Sequence, residues 1–269
     1  MTTRLITILI TLLISVTTFY GQTNYEPLDL ANKIFAKEKF RNIENYVTGE
    51  YEGIPNGTDL NDGTTTKFTL LGQTEKSAVV NMTILDVDGK GIDTYLHFEK
   101  DKIWKVSAFR SLAMTGIIEL AVIELEKINL QQIDTLFSSK AEYDFQLGNA
   151  KLILELDDNI IEHFQTNQTE FERLKNLALT QLEKEKIAEE RSVKLIEDLK
   201  TEYKKIFISD ISIGGYELGN CINFLIGGMI DNTVGYIFVK DKKDLPEMHP
   251  NSIIMIREIG SGWYLYKTT

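Results

Sequence analysis

The sequence predicts an α+β fold: an N-terminal helix and antiparallel β-meander, a central run of helices with one long member, and a small C-terminal antiparallel β unit. Three patterns predict it. Apolar residues recur every three or four positions over 27–47 and 113–205. They alternate at every second position over 64–110 and again after 206. Turn signals such as Asp88-Gly89 and Gly260-Ser261-Gly262 separate the alternating runs.

The first segment is read as an address. Met1-Thr2-Thr3-Arg4 carries a positive charge, Leu5 to Val16 is apolar apart from threonine and serine, and Thr17 to Gln22 is polar, with no acid before Glu26. That order predicts a secretory signal peptide over 1–22, with an apolar core too short to span a bilayer as a helix. The mature chain is then expected outside the cytoplasm, in the periplasm or beyond, and its later apolar runs are too short for stable membrane insertion. With 269 residues there is enough chain for one large domain or two small ones. The net charge of −11 disfavours nucleic acid and anionic membrane surfaces as partners, because both are polyanions.

A cone-like α+β domain is expected over 23–112. Leu30, Ala31, Ile34, Phe35, Phe40, Ile43 and Tyr46 give a helical stripe, ended by the glycine-rich stretch from Gly49 to Gly63. Ala78, Val80, Met82 and Ile84 alternate with polar positions, Asp88-Gly89 makes a tight turn, and Thr94, Leu96 and Phe98 form the inward set of the next strand. A second turn at Lys100-Asp101-Lys102 leads to Trp104, Val106 and Ala108. Three consecutive strands with two short turns follow.

A helical region is expected over 113–205. Ile117, Leu120, Ala121, Leu125, Ile128 and Leu136 form an apolar stripe, and Leu152 to Leu154 read as a short strand. A helix opens after Asp157-Asp158, where aspartate suits an N-cap. The alternating charges from Glu183 to Arg191 read as the solvated middle of one long helix over 168–205.

The β-rich unit over 206–269 holds strands at 206–213, 222–226 and 234–239, then a hairpin of Ile253 to Ile256 with Trp263 to Tyr266. The last strand ends three residues before the last residue and is expected to be integral to the fold.

No signature carries chemistry. Asp86 to Asp93 has the first acidic places of a calcium loop, but Lys90 stands at the fifth and His97 at the twelfth, so an Asp-Gly hairpin turn is the better account. His97 alternates outward on its strand, His163 lies in a helix and His249 in a proline-flanked loop; they share no ligand spacing, and no catalytic residue, metal or cofactor is assigned. Cys221, the only cysteine, sits in an apolar run and reads as a buried inert thiol, with no internal disulfide and no lipoprotein anchor. The Asn-x-Thr triplets at Asn56, Asn81 and Asn167 are expected to stay bare. Aromatics cluster in the terminal unit, where Trp263 and Leu265 share one face and Tyr264 and Tyr266 the other. With Tyr236, an exposed Tyr-x-Tyr face is a candidate partner or ligand surface; core packing against the long helix is the competing account.

The stretch "VDGKGIDTYLHFEKDKIWKVSAFRSL" (87–112), preceded by the opening helix, resembles the nuclear-transport-factor-2-like, or cone-fold, class over residues 27–112. That class contains cyclases and isomerases with an acid-base pair in the cone, and many non-catalytic binding and assembly modules; no catalytic position of the class has a match in this chain. Taken whole, the chain resembles exported Bacteroidetes proteins of unknown function. The resulting expectation is a non-enzymatic exported binding or interaction protein, with an unknown protein or small-molecule partner. The alternative is a small-molecule-binding protein or enzyme using an apolar cone cavity, marked by a deep pocket with one buried Asp, Glu or His. A cavity filled by Met82, Phe98 and Trp104 would favour the first.

Overall fold

The computed structural model describes residues 23–185, 193–194, 199–214 and 218–269. The expected signal segment and most of the charged stretch around 186–192 lie outside the described residues. Within them the fold is α+β: a strand meander, then helices, then a second set of strands.

The opening helix α1 (Pro27–Ile34) starts on a proline and buries Leu30, Ala31 and Ile34. It is shorter than the sequence pattern predicts. Beyond it Asn42 adopts a left-handed conformation, and the backbone at 46–48 pairs with a strand, Thr48 N donating to Val106 O at 2.9 Å and Val106 N to Tyr46 O at 2.9 Å. Sheet pairing has displaced helical continuation.

The first sheet is an antiparallel meander of β1 (Thr65–Gln73), β2 (Ser77–Leu85), β3 (Gly91–Lys100) and β4 (Trp104–Ser111). β1 adds a fourth strand to the three read from the sequence. The Asp88-Gly89 turn forms as expected: Gly89 takes a positive φ of 77°, and the Asp86 carboxylate accepts the N–H groups of Asp88 and Lys90 at 2.9 Å. That carboxylate closes its own loop.

Five helices follow: α2 (Thr115–Glu126), α3 (Leu130–Leu136), α4 (Lys140–Leu154), α5 (Asp157–Thr166) and α6 (Gln168–Glu185). Three sequence expectations change here. Leu152 to Leu154 end α4 and are not a strand; Ser139 caps that helix by accepting from Glu142 N at 3.2 Å. The stripe on α2 does not face the core: Ile118 is buried, whereas Ile117 and Leu120 are exposed. Nor is 168–205 one helix. α6 is described as far as Glu185, and Val193–Lys194 is instead strand β5, pairing with Ile213 and Ser212; the short helix α7 (Lys200–Tyr203) comes after it.

The second sheet is antiparallel in the order β5, β6 (Asp210–Ile213), β7 (Ile222–Met229), β8 (Asn232–Phe238), β10 (Trp263–Thr268), β9 (Ile253–Gly260). β9 and β10 are the hairpin the sequence predicts, and Thr268, one residue from the last, is still paired to Ile253. The main core lies between this sheet and the helices, where Phe164 and Phe171 pack on Phe224, Tyr236 and Trp263 with ring centroids 4.8–5.8 Å apart. Val79 and Tyr95 of the first sheet join it. The other face of the first sheet holds a separate apolar core, in which Met82, Leu96, Phe98 and Trp104 pack with α1. β3 is therefore buried on both faces from Asp93 to Phe98, a burial the sequence reading assigned to one face only. No described helix is long and apolar enough to cross a membrane.

Candidate functional site

Two buried polar sites lie where the first sheet meets the rest of the molecule. The first is closed. Asp157, in the first turn of α5, is 1% exposed and pairs with Lys267 of β10, 4% exposed, at 2.8 Å. The Tyr95 hydroxyl lies 3.0 Å from both Asp157 carboxylate oxygens. Asp93 completes the cluster, accepting from Asp157 N at 2.6 Å, Asn81 Nδ2 at 3.0 Å and Thr83 Oγ1 at 2.5 Å. The helix cap is Leu156, so Asp157 is not the N-cap the sequence suggests; it serves as a tertiary acceptor. Burial raises the pKa of Asp157, opposed by Lys267 and reinforced by the Asp93 carboxylate. Burial, then the Asp157 charge, pushes the Tyr95 phenol far above its ordinary value. A cleft of about 80 Å³ reaches Asp93 and Lys267 from outside. Each of these side chains has a partner, so the cluster acts as a clasp between β3, α5 and β10.

The second site is open. A groove of about 760 Å³ runs between the β1–β2 hairpin with β3 on one side and the 242–250 loop with β9 and β10 on the other. Arg110 of β4 draws that loop in: its Nε donates to Pro250 O at 2.7 Å, and its Nη2 donates to Asn251 Oδ1 at 2.9 Å and to Glu50. Met248 packs against the hairpin at Gly72, where a Cβ would stand 2.8 Å from the Met248 methyl.

Two side chains lining the groove are buried and unsatisfied. His97 is 4% exposed and its Nε2 has no hydrogen-bond partner; Tyr264 is 3% exposed and its hydroxyl has none. Buried polar atoms left unpaired are rare in folded proteins, since each costs about 1–3 kcal/mol. Burial depresses the His97 pKa to about 4, and the Arg110 charge lowers it further. A hydrogen bond to the Ile254 backbone acts in the opposite direction, favouring the proton on the ring, which marks the acceptor as the carbonyl. That nitrogen therefore carries the hydrogen, and Nε2 presents a lone pair at neutral pH. Burial and the Glu258 carboxylate raise the pKa of Tyr264, so its hydroxyl stays protonated.

The three tyrosines read as a candidate surface separate. Tyr236 and Tyr266 are core residues, at 0% and 1% exposure: Tyr236 donates to Ile160 O at 2.7 Å and Tyr266 to Asn223 Oδ1 at 2.9 Å. They are covered on both faces of the sheet, one by the helices and the other by the 242–250 loop, so no exposed tyrosine face exists there. Only Tyr264 reaches the groove. His97, expected to point outward, instead faces the second sheet. Its signal in the sequence was the uncharged run Thr94 to Phe98, which leaves neither strand face suited to water. His163 is held by Ile206 O at 3.0 Å and His249 by Asn251 N at 3.1 Å, both structural contacts. Cys221 is buried in a third apolar cluster, and burial pushes its thiol up to about 12. Among the described residues no three His, Cys, Asp or Glu side chains are grouped to hold a metal ion. No family model, curated protein or solved structure matches the chain.

Proposed function

We propose that this chain is an exported, non-enzymatic binding protein that holds a small molecule in the groove between its two sheets. The observation that carries the reading is the pair of buried, unpaired polar groups, His97 Nε2 and the Tyr264 hydroxyl, on the walls of a drug-sized apolar cleft. His97, expected to point outward, is the buried titratable group that lines this groove. The face of the first sheet that packs on α1 is filled by Met82, Phe98 and Trp104, so the ligand site is assigned between the sheets and not within the meander.

Binding is preferred to catalysis on chemical grounds. An imidazole with a pKa near 4 is a poor proton acceptor for work near neutrality. Ser107, which also lines the groove, donates to the His97 backbone carbonyl at 3.3 Å and not to the ring, so no activated hydroxyl is assembled. The N-terminal apolar segment supports export, and the acidic net charge argues against nucleic acid.

Native mass spectrometry of the chain isolated from its host's periplasmic and secreted fractions tests the reading. An added mass of a few hundred daltons that is released on denaturation is expected, together with an N-terminus cut between Thr18 and Thr23. A bare chain in every fraction counts against a small-molecule role, and a protein-sized addition moves the function to a macromolecular partner.

A further inference from the structure

We propose that the groove selects a neutral amphiphile, with an apolar body and a head group that both donates and accepts hydrogen bonds, such as a hydroxyl or a carboxamide. The inference rests on the groove being a ligand site and assigns that ligand's chemical class.

Three observations fix the class. The first is the polarity of the unpaired atoms. His97 Nε2 is an acceptor and needs a donor; the Tyr264 hydroxyl, which lines the same groove, can give its proton to an acceptor. A carboxylate offers no donor and meets the Nε2 lone pair head-on. A hydroxyl or carboxamide supplies both functions without a net charge.

The second is the lining. Leu71, Val79, Leu245, Pro246, Met248 and Ile256 make the walls apolar, so most of the ligand must shed its water there favourably. The charges that act on His97 and Tyr264, Arg110 and Glu258, are already paired with Glu50 and Lys242, so a charged head drawn down there would lose its hydration without gaining a free counter-charge.

The third is the rim. Glu75, Glu99, Glu247 and Glu258 stand around the mouth with Lys76 and Lys242, an excess of two acids on a chain of net charge −11. Lys242 is already paired with Glu258 at 3.0 Å. Anionic amphiphiles such as fatty-acid carboxylates are repelled at the entrance, while a neutral molecule passes.

The test is isothermal titration of the chain, as its host processes it, with four ten-carbon probes: decanol, decanamide, decanoate and decylammonium. Decanol and decanamide are expected to bind at least tenfold more tightly than decanoate or decylammonium at pH 7.5. Tyr264→Phe, which removes only the hydroxyl, is expected to weaken the neutral probes about five- to tenfold, the worth of one hydrogen bond. His97→Phe should do the same, and Tyr264→Phe keeps the test decisive if that variant does not fold. Ser77→Trp, at an exposed groove position, is expected to abolish binding. Preferred binding of decanoate or decylammonium that is still lost in Ser77→Trp overturns the ligand class and leaves the groove intact as a site. Neutral-probe binding that ignores both Tyr264→Phe and Ser77→Trp overturns the class and the site together, and failure of both neutral probes to bind overturns the class.

Discussion

The two polar sites beside β3 are both shielded from water and chemically opposite. At one end Asp93, Asp157, Tyr95 and Lys267 bury two carboxylates and an ammonium, and each side chain has its partner. At the other, His97 and Tyr264 are as well hidden and lack one bond each. Burial alone does not distinguish them; the count of satisfied hydrogen bonds does. A complete network has no capacity left for a ligand and contributes to the fixed docking of the sheets, whereas an incomplete one holds a standing cost that a ligand can remove.

Breaking the closed site should have the largest effect. Lys267→Met leaves the Asp157 carboxylate buried beside Asp93 and is expected to destabilise the fold by about 3–5 kcal/mol in urea unfolding. A loss below about 1 kcal/mol would mean that the clasp is not a structural device and would erase the contrast.

The open site should show itself through pH. His97 has a folded pKa of about 4 against an ordinary 6.5, so the unfolded chain binds the extra proton first. Its contribution to stability is fully present above pH 6.5 and is lost as pH falls towards 4, a change of about 3 kcal/mol. Glu50, Glu142, Asp158, Glu170 and Glu172, whose pKa values are lowered, add their own acid losses below the ordinary carboxylate range. The difference between the parent and His97→Phe across pH 4–6.5 isolates the histidine, and identical slopes would refute its burial as a neutral group.

The finest discrimination comes from tyrosines two residues apart. Tyr266→Phe strands Asn223 and should cost about 1–2 kcal/mol, while Tyr264→Phe deletes a buried hydroxyl with no partner and should raise stability by about 1–3 kcal/mol, the cost of leaving that group unpaired. Equal costs, read from thermal unfolding, would show that both hydroxyls are structural.

Local signals in the chain were legible. The Asp88-Gly89 turn and the hairpin closed by Gly260-Ser261-Gly262 are set by backbone conformations near glycine, which neighbouring residues alone dictate. β1 was hidden because Thr65 to Gln73 lacks clean alternation and carries a register shift between Leu70 and Gly72. α4 was hidden because its sequence is only weakly amphipathic and mixes Gly148 and Asn149 into a helix made by packing on β7. Of the site, Tyr264 was visible as one of a set, but nothing local separates it from Tyr266. His97 is expected outward because a strand read alone has one wet face; the strands that dry the other face, β9 and β10, lie more than 150 positions later.

That separation also sets a timetable. The meander closes through turns of a few residues, but the grip of Arg110 on Pro250, which holds the groove wall, joins positions 140 apart. Loop-closure entropy makes such a junction slow, and its reward arrives only once both partners are formed. The pocket is thus among the last features the chain completes, and a ligand that binds it recognises only finished molecules. Mass action then withdraws the finished form from the partly opened states that proteases attack. Proteolytic half-life in the presence and absence of ligand reads that coupling directly, and the amount of this protein that survives should follow the supply of what it binds.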